Sequence, residues 1–119
     1  MEKIIQGSQA EQAALDYLLK QGLQLVTTNY RCKFGEIDII MRDKEKLIFV
    51  EVRQKNKTRF GKAINTITPR KQQNIRLAAR CYLHQHRITN KFPCRFDVVA
   101  IDGSWLNCDN FTWIKQAFW

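Results

Sequence analysis

The sequence has no long apolar run, few turn-forming residues and no C-x-x-C pair. No apolar stretch approaches the roughly 20 residues that a membrane-spanning helix needs, and the N-terminus lacks the apolar segment and small-residue cleavage site of a signal peptide. We therefore expect a cytoplasmic protein that does not enter a membrane. Only two prolines and five glycines occur among 119 residues, with no repeat or linker, which predicts one domain over residues 1–119.

The four cysteines also exclude some classes of site. They lie too far apart in the sequence for the paired spacing of a structural zinc site. Without a secretory signal, we expect reduced thiols rather than disulfides.

Acidic residues are outnumbered, with 20 Lys and Arg against 11 Asp and Glu and a net charge of +9. Such a surplus favours a polyanionic partner, most commonly nucleic acid. An anionic membrane surface is the alternative, and it calls for a basic amphipathic helix with large apolar residues opposite the charges. No zinc finger or recognition helix is evident, so we expect structure-selective or non-specific binding through phosphate contacts.

Apolar periodicity predicts helices over residues 8–21 and from Thr68 to about His84. Ser8 and Glu11 have the spacing of a capping box, and Thr68 followed by Pro69 is typical of a helix start. Alternating or β-branched segments predict strands at 23–30, 34–42, 47–53 and 95–101, with a short strand within 111–119. This order, helix, three strands, helix and strand, predicts an α/β sandwich with a mixed sheet.

Two carboxylates meet in the predicted hairpin around the polar turn at residues 43–46. If Arg42 faces Leu47, then Asp38 lies opposite Glu51, with Cβ atoms roughly 5 Å apart. Adjacent carboxylates repel each other, and a hard divalent cation such as Mg²⁺ relieves this repulsion because it prefers oxygen ligands.

The same register places Glu36 opposite Arg53. The alternative to a metal site is therefore a cross-strand salt bridge between Glu36 and Arg53, with Asp38 and Glu51 pointing to water. A register slip of one residue would put the two carboxylates on opposite faces.

Several motifs occur in order along the chain: 35–40 (GEIDII), 49–53 (FVEVR), 60–61 (FG) and 95–99 (RFDVV). With these motifs the chain, from Gly7 to Trp113, resembles the YraN-like family of small bacterial proteins. That family is similar to the PD-(D/E)XK, or restriction-endonuclease-like, superfamily, in which archaeal Holliday-junction resolvases have a related fold. The resemblance implies an α/β fold with an αβββαβ core, in which helices flank a central mixed β-sheet.

The resemblance also implies site residues. Asp38 and Glu51 correspond to metal ligands, for Mg²⁺ or Mn²⁺, and Glu11 corresponds to the helix-one acid of the resolvases, although a capping-box role also explains Glu11. The catalytic lysine of the family pattern falls at Arg53, which departs from it. Arginine stays charged and can stabilise a phosphate but cannot act as a base. Lys55 has the same strand parity and could substitute.

The leading hypothesis is therefore a Mg²⁺-dependent nuclease that acts on DNA, including branched or damaged DNA. Glu36 is expected to support the ligands or to form a salt bridge rather than to bind metal. Phosphate contacts are expected from a basic cluster, whose alternative is a solvated loop: Lys57, Arg59, Lys62, Arg70 and Lys71.

Two other functions remain open. One is a nucleic-acid-binding module with a nuclease fold and little or no catalysis, which Arg53 favours. The other is a subunit that acts only with a partner or as a homodimer, because Holliday-junction resolvases are dimers.

Overall fold

The structure is a computed structural model that describes residues 5–56 and 61–119. In these residues, two long helices pack against one five-stranded sheet, and short 3₁₀ turns occur at Ala63–Thr66 and Cys108–Asn110. The helices and strands are α1 (Ile5–Lys20), β1 (Gln24–Cys32), β2 (Gly35–Asp43), β3 (Lys46–Lys55), α2 (Pro69–Gln85), β4 (Cys94–Asp102) and β5 (Phe111–Phe118).

The strands lie in the order β1-β2-β3-β4-β5. Neighbouring strands are antiparallel except for β3 and β4, which run parallel and are connected by α2. A parallel pair needs such a crossover, because a tight turn can join only antiparallel strands. This arrangement confirms the predicted restriction-endonuclease-like αβββαβ core, to which β5 adds an edge strand.

The two helices cover opposite faces of the sheet. Successive side chains of β3 alternate between these faces, as the strand period requires. Phe49 packs on the face covered by α2, with Tyr82 and Ala78 of that helix. Ile48 and Val50 pack on the face covered by α1. We call these the α2 face and the α1 face.

The predicted helix starts had different outcomes. Thr68 caps α2, because its side chain accepts a hydrogen bond from the backbone N–H of Lys71 at 3.1 Å, and Pro69 is the first helical residue. The capping box predicted for α1 is wrong. This helix already begins at Ile5, so Ser8 lies inside the helix rather than at its start.

The predicted hairpin register is confirmed over five pairs, from Asp43↔Lys46 to Ile39↔Val50, where the ladder ends. The strand period of two predicts that Ile37 and Ile39 lie on the same face of the sheet, and this prediction is wrong. Ile39 packs on the α1 face, whereas Ile37, two residues away, packs on the α2 face.

This reversal occurs at Asp38. On β1, Asn29 has a φ of 53° and lies between the pairs Thr28↔Ile39 and Tyr30↔Ile37, level with Asp38. Asparagine tolerates this left-handed conformation better than most residues. The sheet is therefore locally distorted where β2 carries Asp38.

Within residues 5–56 and 61–119, no helix combines the length and the apolar character needed to cross a bilayer.

Candidate metal centre

Asp38 and Glu51 lie where β2 separates from β3. Their exposed fractions are 8% and 3%, and their side chains interact with each other. The ladder has ended one pair earlier, and Oδ2 of Asp38 accepts a hydrogen bond from the backbone N–H of Val52 at 2.8 Å. The end of the hairpin thus brings two buried carboxylates together, although they are not a regular cross-strand pair.

Burial and mutual repulsion make these carboxylates hard to ionise. Burial, followed by the charge of Asp38, raises the pKa of Glu51 to about 8. Burial also raises the pKa of Asp38, although the hydrogen bond from Val52 opposes this shift. Two adjacent carboxylates that cannot both ionise share a proton. At neutral pH the pair therefore carries less negative charge than two free carboxylates.

Two cations lie beside Glu51, and both lower its pKa. Nη1 of Arg53 lies 3.3 Å and Nζ of Lys71 lies 3.8 Å from Oε2 of Glu51. The rest of the Arg53 guanidinium is bound to Thr66, since Nε donates to its Oγ1 and Nη2 to its carbonyl oxygen, both at 2.9 Å. Arg53 is therefore held in a fixed position, whereas Lys71 reaches the pair with the end of a flexible side chain.

Glu11 approaches the carboxylates from α1. Its pKa is raised to about 7, first by burial and then by the charges of Asp38 and Glu36. It also lines a cavity of about 190 Å³ between α1 and β1. Among the described residues, no three Asp, Glu, His or Cys side chains are close enough together to hold a metal, so Glu11 is near the pair without joining it.

Glu36 does not pair with Arg53 in this structure. Its side chain lies 3.8 Å from Nε of Arg31, the residue across from it on β1. The predicted alternative of a Glu36–Arg53 salt bridge is therefore wrong, because the β2–β3 ladder ends before it reaches Glu36.

The other predicted site residues lie around this centre. Lys55 is the last residue of β3, and its amino group lies next to Gly61. Lys62 is exposed before the Ala63–Thr66 turn, and Arg70 is exposed in the first turn of α2. Lys57 and Arg59 lie outside the described residues.

Comparison with known proteins identifies the family. The pattern of "Uncharacterised protein family UPF0102" matches residues 10–101. The chain belongs to the UPF0102 family. This confirms the resemblance to the YraN-like proteins.

Individual UPF0102 proteins match along most of their length. The chain is 50% identical to a UPF0102 protein of Nitrosococcus oceani over 112 residues, which cover 94% of this chain and 90% of that relative. It is 48% identical to UPF0102 proteins of Legionella pneumophila and Nitrosomonas europaea, with 94% of this chain and 92% of each relative covered. The range matched by the UPF0102 pattern includes the whole candidate centre.

Three features of this UPF0102 centre were missed by the sequence analysis. The backbone N–H of Val52 lies within the 49–53 motif but was given no role, and Thr66, which binds Arg53, belongs to no motif. Lys71 was assigned to phosphate binding, although it contacts Glu51 directly. One signal was available: a helix that follows a strand in a parallel crossover begins near the carboxyl end of that strand, and Glu51 lies in the second half of β3.

Proposed function

We propose that this protein is a metal-dependent nuclease that hydrolyses phosphodiester bonds in DNA, with branched or damaged DNA as the expected substrates. The observation that carries the proposal is the buried pair of Asp38 and Glu51, which interact with each other and whose pKa values are both raised, chiefly by burial. A further positive charge would stabilise the ionised form of this pair. The two nearby cations, Arg53 and Lys71, are partly exposed to solvent, so they do not require Asp38 and Glu51 as counter-charges in the interior.

The donor set fits a hard divalent cation such as Mg²⁺ or Mn²⁺. Mg²⁺ takes one or two carboxylates, completes its coordination with water and needs no dedicated cage of protein ligands. Asp38 and Glu51 would hold it, with Glu11 contributing negative charge from α1. Such a cation polarises a phosphodiester and lowers the pKa of a bound water.

The residues around the pair have separate tasks. The N–H of Val52 fixes the orientation of the Asp38 carboxylate. Arg53 holds Glu51 in place, and it cannot act as a base because its guanidinium stays protonated. Since Thr66 occupies Nε and Nη2 of this guanidinium, we assign Arg53 to positioning rather than to contact with the phosphate.

Lys71 is the best placed residue to stabilise negative charge on the phosphate. Its amino group lies 3.8 Å from Glu51 and its side chain is partly exposed, so it faces both the carboxylates and the solvent side from which a substrate would enter. A cation next to the phosphate lowers the energy of a transition state in which negative charge develops. We therefore propose that the lysine of the family pattern, missing at position 53, is replaced in function by Lys71 from α2.

The second candidate function is a DNA-binding module with little or no catalysis, acting alone or with a partner. Arg53 is the observation that favours it, because its guanidinium is hydrogen-bonded to Thr66 and Glu51. In that case the carboxylates would still bind a cation, and the basic residues near α2 would still bind phosphates.

Cleavage assays separate these functions. The purified protein is incubated with linear duplex, single-stranded and four-way-junction DNA, with Mg²⁺ or Mn²⁺ and with EDTA. We expect cleavage that EDTA abolishes and that Asp38→Asn reduces at least about 100-fold, since metal-ligand removal eliminates most of the catalytic effect. Asp16→Asn is the matched control, because Asp16 is exposed on α1 and accepts a hydrogen bond from nearby Gln12.

A second pair of variants tests the role of Lys71. We expect Lys71→Ala to lower the cleavage rate at saturating DNA about 10- to 100-fold, and the neighbouring Arg70→Ala to affect mainly DNA binding.

Cleavage that persists in Asp38→Asn would mean a contaminating nuclease or a different site. Tight binding without cleavage of any substrate would favour the binding module.

A further inference from the structure

The positive charge of this chain is concentrated in one segment. Between Glu51 and Asp97 there is no Asp or Glu, so the remainder of the chain carries all of the acidic residues. The Lys and Arg residues of this segment are Arg53, Lys55, Lys57, Arg59, Lys62, Arg70, Lys71, Arg76, Arg80, Arg87, Lys91 and Arg95. The net charge of +9 therefore originates in the segment that contains α2.

Helix α2 separates its apolar and basic residues. Ile75, Ala78, Ala79 and Tyr82 are buried against the sheet. At 100° per residue, Arg80 lies almost opposite the centre of this buried stripe. Arg70 and Arg80 are exposed, as is Arg87 just beyond the helix, and Arg76 is partly exposed. We call Arg70, Arg76, Arg80 and Arg87 the α2 outer surface.

Intramolecular contacts do not account for these charges. Within residues 5–56 and 61–119, no acidic side chain forms a salt bridge with Arg70, Arg80 or Arg87. Arg76 differs from these three, because it donates hydrogen bonds to the side chain of Gln73 and to the main-chain oxygen of Trp119.

The placement of these charges is unfavourable for the helix alone. Arg70 lies in the first turn of α2, where the helix dipole disfavours a cation. The helix contains no Asp or Glu, so it has none of the oppositely charged pairs that stabilise exposed helices. A set of like charges repels itself until an anionic partner neutralises it.

The helix leads away from the candidate centre. Its third residue, Lys71, contacts Glu51, and its 17 residues extend about 25 Å at 1.5 Å per residue. A nucleic-acid duplex rises about 3.4 Å per base pair, so α2 is as long as about seven base pairs. A straight helix with basic residues along one side matches a rigid, regularly charged partner.

We propose that the α2 outer surface is a docking surface for the phosphate backbone of a duplex DNA arm that adjoins the cleavage position. The inference rests on the proposed function for the location of that position, but not for the binding itself. A single strand is the less suitable partner, because its binding sites stack bases on aromatic rings. The only Tyr, Phe or Trp of α2 is Tyr82, which is buried.

The test compares two double variants with the same change in net charge. Arg80→Gln with Arg87→Gln removes exposed charges from the α2 outer surface. Lys20→Gln with Lys115→Gln removes exposed charges on the opposite side, since Lys20 ends α1 and Lys115 lies over Trp113 of the α1 face. Binding of a labelled 30-base-pair duplex is measured in EDTA, so that no cleavage occurs, over a range of salt concentrations.

We expect the α2 variant to bind at least about 10-fold more weakly and the control variant less than about 2-fold more weakly. The slope of log K against log salt should fall by about 2 in the α2 variant, because each phosphate contact contributes about 0.9. Equal weakening in both variants would show that net charge alone governs binding, and an unchanged affinity in the α2 variant would overturn the inference. A loss of binding to anionic vesicles with no loss of DNA binding would assign the surface to membranes instead.

Arm length gives a second readout. On four-way junctions with arms of 4 to 12 base pairs, the affinity of the wild type should increase with arm length up to about seven base pairs and then stay constant. The α2 variant should lose this dependence on arm length. A length dependence that survives in the variant would contradict the inference.

The two proposals can fail separately. If no DNA is ever cleaved but the α2 variant loses duplex binding, the proposed function fails and the docking surface stands. If DNA is cleaved by way of Asp38 and the α2 variant binds and cleaves normally, the docking surface fails alone. Where both hold, the α2 variant should cleave more slowly than the wild type at limiting DNA, and the difference should shrink as the DNA concentration rises.

Discussion

The sheet contains a single buried carboxylate, Asp97 on β4, and a buried pair of carboxylates, Asp38 on β2 and Glu51 on β3. Their surroundings are opposite. Asp97 of β4 is completely buried, and its carboxylate accepts two hydrogen bonds from Arg95, at 2.8 and 2.9 Å. The indole N–H of Trp113 and the backbone N–H of Gln116 add two more, at 2.9 and 3.0 Å. This carboxylate is fully compensated by its own protein.

Asp38 and Glu51 lack this compensation. Each has the other as a close neighbour, the nearest Arg53 nitrogen is 3.3 Å from Glu51, and Lys71 is more distant at 3.8 Å. Desolvation therefore dominates the pKa of both groups. A fully paired carboxylate stabilises the fold, whereas an incompletely paired couple is suited to bind something from outside.

The first prediction concerns stability. Asp97→Asn should lower the free energy of unfolding by about 3–5 kcal/mol, because it leaves the partly buried Arg95 without its partner. Asp38→Asn should leave it unchanged or raise it, since the change removes repulsion. Urea denaturation of both variants, followed by tryptophan fluorescence, measures the difference. Similar losses in the two variants would remove the distinction between the acidic groups.

The substitution Glu51→Gln should also change the free energy of unfolding, by an amount that depends on pH. The pKa of Glu51 is raised from its ordinary value of 4.5 to about 8 in the folded protein, so between pH 4.5 and pH 8 the folded state binds more protons than the unfolded state. The free energy of unfolding contributed by this group therefore falls as pH rises from 4.5 to 8.

The Gln variant lacks this loss. Without metal, it should match the wild type near pH 4.5 and become increasingly more stable than the wild type as the pH rises to 8. Thermal melts in EDTA across this range measure the difference, and Glu45→Gln, at an exposed position in the β2–β3 turn, is the control. A variant whose pH dependence parallels the wild type would mean that Glu51 ionises normally.

Much of the scaffold follows from the sequence, because its signals are local. The polar turn after Arg42 sets the hairpin register, and Arg42↔Leu47 pairs as expected. Thr68 and Pro69 define the start of α2. Such signals depend on neighbouring residues and do not require knowledge of the rest of the fold.

The arrangement of the centre depends on packing between distant segments. The distortion at Asn29 and Asp38 changes the facing of Ile37, which strict alternation cannot predict. The contact of Lys71 with Glu51 depends on how α2 lies across the sheet. The hydrogen bonds between Arg53 and Thr66 depend on the conformation of the Ala63–Thr66 turn. The sequence therefore identified the two carboxylates, Arg53 and Glu11, but not the contacts made by Lys71, Thr66 and the N–H of Val52.

The most direct test of the central claim is a calorimetric titration of the protein with Mg²⁺ or Mn²⁺ at pH 7, repeated in two buffers with different heats of ionisation. Because metal ligands must be ionised and the pair shares a proton, we predict one site that releases about one proton on binding. Asp38→Asn should abolish this binding, and Asp16→Asn should preserve it. Binding of equal affinity in Asp38→Asn, or no binding by the wild type, would contradict the account.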